Sequence, residues 1–90
     1  MDRYKGRTST KEIERRYPHI VELMVPLSGF GMKLNLMHDW HSFRGLESQR
    51  GSGRYHDGRH YVRWCFADPN YAKAFQAEFG GELIKPPTVL

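Results

Sequence analysis

Five histidines and a single cysteine are the side chains in this chain best suited to metal binding or nucleophilic chemistry. His38 and His41 stand three residues apart in a stretch with helical spacing, so they share one side of a helix. With His56, His60 and Cys65 they compose a candidate zinc set. The spacing contains no Cys-x-x-Cys pair and no His-Glu-x-x-His, which makes the four histidines weak metal candidates and favours ordinary surface or hydrogen-bonded roles. To act as a nucleophile, Cys65 needs a base such as His56 or His60 brought to it across a hairpin. Flanked by Trp64 and Phe66, it reads more naturally as a small apolar side chain. The aspartates and glutamates form no evident acid/base pair, so no catalytic set is assigned and no cofactor is expected.

Two stretches could hold an anion. Ser28, Gly29, Phe30 and Gly31 precede a helix whose free backbone N–H groups point toward them, and Lys33 adds a charge. The stretch matches neither the dinucleotide fingerprint nor the Walker loop, so a tight strand-to-helix turn is the favoured account. Further on, Arg50, Arg54, Arg59 and Arg63 crowd one hairpin, where they are candidates for contact with single-stranded nucleic acid. The strand from Arg59 to Phe66 is similar to the third strand of an RNA-recognition motif at Arg59, Tyr61 and Phe66. It departs from that pattern at His60, where a glycine belongs, and at Arg63, where a second stacking aromatic belongs. Glu22 also sets a carboxylate on the same face, so the likeness assigns no family.

The elements that position these residues follow from periodicity. Val62, Trp64 and Phe66 alternate along a strand, and Asp68 followed by Pro69 is a helix cap and a first helical residue. Ala72, Phe75 and Phe79 then form an apolar stripe, and Gly80 and Gly81 end the helix before a short strand from Glu82 to Lys85. Earlier in the chain, His19 to Leu27 reads as a strand with Val21, Leu23 and Val25 toward the core. A helix from Met32 to Arg44 follows, with Leu36, Met37, Trp40 and Phe43 as its buried stripe. Leu46 to Gly58 reads as an irregular edge strand closed by an Asp57-Gly58 turn, or else as a loop that leaves a three-stranded sheet. Thr10 to Arg16 allows one charged helical turn capped by Thr10.

The order is βαββαβ, an α+β fold of ferredoxin-like type with two helices on one face of a small antiparallel sheet and a weak second strand. Residues 1–18 are expected to be a flexible basic arm, residues 19–85 the single domain, and residues 86–90 a tail. The net charge of +4 permits an acidic partner without requiring one, and no apolar run approaches the roughly 18 residues of a membrane span. With one cysteine and no secretory pattern, a reducing, cytoplasmic setting is the expectation.

The reverse of the central strand, bearing Met24, Tyr61, Arg63 and Cys65, is left half apolar and without a covering helix. The leading expectation is therefore a non-enzymatic binding domain that self-associates as a homodimer, or meets a protein partner, through this sheet face. Nucleic-acid or anion binding by the arginine-rich hairpin and basic arm is the second reading. A metal- or thiol-dependent enzyme is the third.

Overall fold

In the computed structural model, which describes residues 9–84, the chain runs α1 (Thr10–Arg16), β1 (His19–Met24), α2 (Met32–Phe43), β2 (Arg54–His56), β3 (Arg59–Phe66), α3 (Pro69–Phe79) and β4 (Glu82–Ile84). The arm before Ser9 and the tail from Pro86 lie outside the described residues. The architecture is a small α+β fold, with three helices and an open four-stranded sheet in the order β2-β3-β1-β4. All three strand pairings are antiparallel.

β3 is the axis of the sheet. Its apolar alternation sets Trp64 and Phe66 beneath the helices, and its register with β1 places Val21 opposite Trp64 and Leu23 opposite Val62. Asp57 and Gly58 both take positive φ, 54° and 74°, the geometry of the tight hairpin turn that an Asp-Gly pair favours. The chain leaves β3 through Asp68, whose Oδ1 accepts from the Asn70 N–H at 2.8 Å with Pro69 at the first helical position. A cap of this kind is worth about 1 kcal/mol.

The core joins Val21, Leu23, Met37, Trp40, Trp64, Phe66, Ala72 and Phe75, with Leu34, Val62, Tyr71 and Phe79 packed at its margin. Phe75 is fully buried, and its ring lies 5.2 Å from Trp40, 5.4 Å from Phe66 and 5.5 Å from Trp64, mostly tilted or edge-on as the ring quadrupoles prefer.

Local reading and structure part at several places. The first strand stops at Met24, and Val25 leaves the core face, although its N–H still donates to the His60 carbonyl at 2.8 Å. The cap of α1 is Ser9, whose hydroxyl accepts from the Glu12 N–H at 3.1 Å, while Thr10 is already helical and its hydroxyl meets that of Ser52 at 2.8 Å, forty-two residues away. The edge strand is broken as its composition suggests: Arg50 bridges Trp64, Gly51 to Gly53 interrupt the ladder, and pairing resumes at Arg54.

The larger departure is in α2. Leu36 and Phe43, expected in the buried stripe, are 56% and 85% exposed, and the buried side is Leu34, Met37, Trp40 and His41. The helix carries two apolar stripes, and packing selected the one that includes His41. That ring satisfies its Nδ1 on the Met37 carbonyl of its own helix at 2.8 Å, and so buries like an aromatic.

Candidate functional site

Cross-strand pairing puts three rows of side chains on the sheet face opposite α2 and α3. Ile84, Ile20 and Cys65 form one row, Glu82, Glu22 and Arg63 the next, and Met24, Tyr61 and Arg54 the last. The sequence leaves this face uncovered, yet Ile20, Glu22 and Cys65 are all buried. At the first row, Cys65 lies beside Gly51 and Glu14 of α1, and its N–H donates to the Gln49 carbonyl at 2.8 Å. Glu14 Oε2 accepts from the Ser52 N–H at 2.6 Å, and both Glu14 carboxylate oxygens accept from Arg63 Nη1 at 3.1 Å.

Over the second row the cover is ionic. Arg54 grips Glu22 with two hydrogen bonds of 2.9 and 2.8 Å, and Arg63 Nε adds a third at 3.1 Å. The Arg54 hydrogen bonds, with those of Arg63 behind them, hold the Glu22 carboxyl below its usual range against the opposing effect of burial. The Arg54 guanidinium also stacks over Tyr61, 4.2 Å from the ring centre. Only the last row stays substantially open, with Met24 48% exposed beside a half-buried Tyr61.

The four arginines named for nucleic acid therefore have unequal freedom. Arg54 and Arg63 are held by Glu14 and Glu22. Arg50 lies over the Trp64 ring at 4.2 Å, partly withdrawn from solvent, and Arg59 is half-buried on β3. Glu14 and Glu22 were each visible in the sequence, but a carboxylate forty-nine residues from its arginine leaves no local signal.

Burial, with Glu14 nearby, pushes the Cys65 thiol up to about 12. At neutral pH it is a thiol and not an attacking thiolate. Neither His56 nor His60 is close to it in the ladder: both sit at the far end of the hairpin, His56 exposed beside Asp57 and His60 against Tyr55 at 4.6 Å. His38 is exposed with its Nδ1 3.5 Å from the Ser48 hydroxyl, while His41 is in the core. Among the described residues no three His, Cys, Asp or Glu side chains gather as a metal site.

At the start of α2, Gly29 and Gly31 have φ of 85° and 57°, the left-handed values that the turn demands of them. Lys33 and Leu34 already donate to the carbonyls of Phe30 and Gly31, and Ser28 makes no capping bond, so the glycines serve the turn.

Two further features went unseen in the sequence. Met32, Leu36 and Phe43 fall within about 40° of one another around α2, an exposed apolar stripe. Alongside it a groove is lined by Leu36, Trp40, Phe43 and Phe79, with Asp39, Arg44 and Glu78 at its rim. Arg44 lies over the Trp40 ring at 3.9 Å, and none of the three rim charges is in an ion pair among the described residues. The second feature is a cavity at the C-terminal end of α2, between Gly45 to Gln49 and the end of β3, with His41 among its lining residues.

Compared with protein-family models, curated proteins and solved structures, the chain shows no match. No helix among the described residues is long and apolar enough to cross a membrane.

Proposed function

We propose that this protein is a non-enzymatic interaction domain that pairs with a second copy of itself through the outer stripe of α2, in a reducing, cytoplasmic setting. The observation that carries the reading is the exposure of Leu36 and Phe43, 56% and 85%, beside the groove that ends at Phe79. Large apolar side chains aligned on one helix are costly to leave in water and are covered at low expense by another apolar surface. A second copy fits because the groove rim is self-complementary. The rim carries both signs of charge, Arg44 with Asp39 and Glu78, so two copies related by a twofold axis would have opposite charges to offer one another, as an isologous interface needs.

The protonated Cys65 supports a role without covalent catalysis, and a lone buried cysteine supports a compartment that keeps thiols reduced. The βαββαβ run after α1, with antiparallel pairing in the order β2-β3-β1-β4, supports a ferredoxin-like scaffold on which α2 is one of the two crossover helices. Nucleic-acid binding draws less support, because Glu14 and Glu22 already occupy Arg54 and Arg63.

A second contact surface is favoured by one observation: Met24 stands open beside Tyr61 on the remaining strip of the sheet face. Light scattering on Phe43→Glu and Met24→Glu separates the two surfaces. The proposal expects Phe43→Glu to be monomeric and Met24→Glu to remain a dimer; the reverse pattern moves the interface to the sheet.

A further inference from the structure

We propose that Arg50, His38 and Ser48 form a binding site for a phosphate group, taken as the free ion or as a small monoester, where the broken edge strand meets α2. The three side chains gather on Trp64. Arg50 pairs with Trp64 through an isolated bridge, which sets both on the helix side of the sheet, and its guanidinium carbon lies 4.2 Å from the centre of the indole ring. His38 meets the same indole edge-on, with ring centroids 5.6 Å apart. Its Nδ1 is 3.5 Å from the hydroxyl of Ser48, which precedes Arg50 by two residues.

Arg50 supplies the charge. A guanidinium does not shed its proton in a protein, yet this one is half-buried, and that burial pulls its pKa below the usual value. Arg54 and Arg63, on the other face of the sheet, are each held by a glutamate, whereas no carboxylate among the described residues is in an ion pair with Arg50. An aromatic face returns only part of what water gave the cation, so an anion is the partner still wanting. Nε of Arg50 is sealed from solvent. Nη1 and Nη2 are neither sealed nor hydrogen-bonded to another described residue, so the outer edge of the fork is the part a ligand meets. Seated on the indole, the planar fork is preorganised for an oxyanion. Exposed His38 and half-buried Ser48 add a ring N–H and a hydroxyl beside it. A phosphate has acceptor oxygens for all three donors, while the two oxygens of a carboxylate are used up by the fork.

The test titrates the wild-type protein with inorganic phosphate, glycerol phosphate and acetate at an ionic strength held constant with sodium chloride, and follows side-chain 1H–15N spectra. The Arg50 Nε–H and Trp64 indole N–H resonances should shift together and saturate with phosphate at a concentration on the order of 1 mM, and acetate should bind about tenfold more weakly. Whichever of the two phosphates binds more tightly identifies the form the site takes. Arg50→Lys keeps the charge but loses the fork, and should weaken phosphate binding about fivefold. His38→Ala, at an exposed position, should weaken it about threefold, and Arg59→Gln, which removes a charge from the other face of β3, should leave it unchanged. Should Arg50→Lys fail to fold, the anion comparison and His38→Ala decide. Shifts that chloride alone reproduces, equal affinity for phosphate and acetate, or undiminished binding in Arg50→Lys or His38→Ala overturn the proposal. His38 lies about 120° or more around α2 from Met32, Leu36 and Phe43, so this site and the self-association through α2 fail separately.

Discussion

Arg63 donates from Nη1 to both carboxylate oxygens of Glu14, each at 3.1 Å, and so ties the first helix to the central strand across forty-nine residues of chain. α1 has seven residues, too few to be stable as an isolated helix, and none of them is fully buried. It is held by Glu14, which meets both Arg63 and the Ser52 N–H, together with the hydroxyl contact of Thr10 with Ser52. Glu14→Ala should cost about 1–2 kcal/mol, less than a fully buried charged pair because both partners keep some contact with water. The sharper readout is Cys65, which α1 helps to screen. Its modification by a thiol reagent should accelerate in Glu14→Ala, and an unchanged rate would mean that α1 does not guard the thiol.

Gly81 faces β1 with almost no clearance. Its φ is +95°, and a Cβ there would stand 2.6 Å from the Glu22 carbonyl oxygen, a backbone atom with little freedom to retreat. Gly81→Ala should destabilise by about 2 kcal/mol or more, against about 1 kcal/mol for Gly45→Ala, where φ is also positive but a Cβ meets nothing within 4 Å. Urea melts of the two variants measure the difference, and equal losses would show that strain in φ alone governs both.

Acid should act on the fold in two stages. Folding lowers the His41 pKa below 6.5, so the unfolded chain takes up that proton first. The stability tied to His41 is complete above about pH 6.5 and falls as pH drops toward the folded value. The positive Arg44 and neighbouring His38 act in the same direction as burial, which is the larger cause. Glu22 contributes in a lower window: its stabilisation is complete above about 4.5 and is lost as pH falls through its depressed folded value. Denaturation midpoints measured between about pH 7 and pH 5 should therefore decline in the wild type and flatten in His41→Phe. Parallel profiles for the two proteins would remove His41 as the cause.

How far the sequence could be read depended on the distance over which each signal acts. The strand from Arg59 to Phe66, the Asp57-Gly58 turn and the Asp68-Pro69 helix start were all legible, because each is determined by residues within a few positions of one another. The facing of α2 was not. Met37 and Trp40 of the expected stripe are buried, but Leu36 and Phe43 are not, because packing turns the helix toward Leu34 and His41 instead. The cover of the sheet face was hidden for a different reason. Glu14, Glu22, Arg54 and Arg63 look like scattered surface charges until the fold brings them within hydrogen-bond distance. The cavity beside His41 needs residues from α2, the following loop, β3 and α3 to be assembled at once, so no single stretch announces it.

The stripe of Met32, Leu36 and Phe43 is the centre of this account, and its most direct measurement is the mass of the wild-type protein in solution as concentration rises from micromolar to millimolar. Self-association through α2 predicts a mass that climbs to twice the 10.6 kDa of one chain and falls back to a single chain in Phe43→Glu. A wild-type protein that stays at the mass of one chain throughout, or a Phe43→Glu protein that dimerises as readily as the wild type, would contradict it.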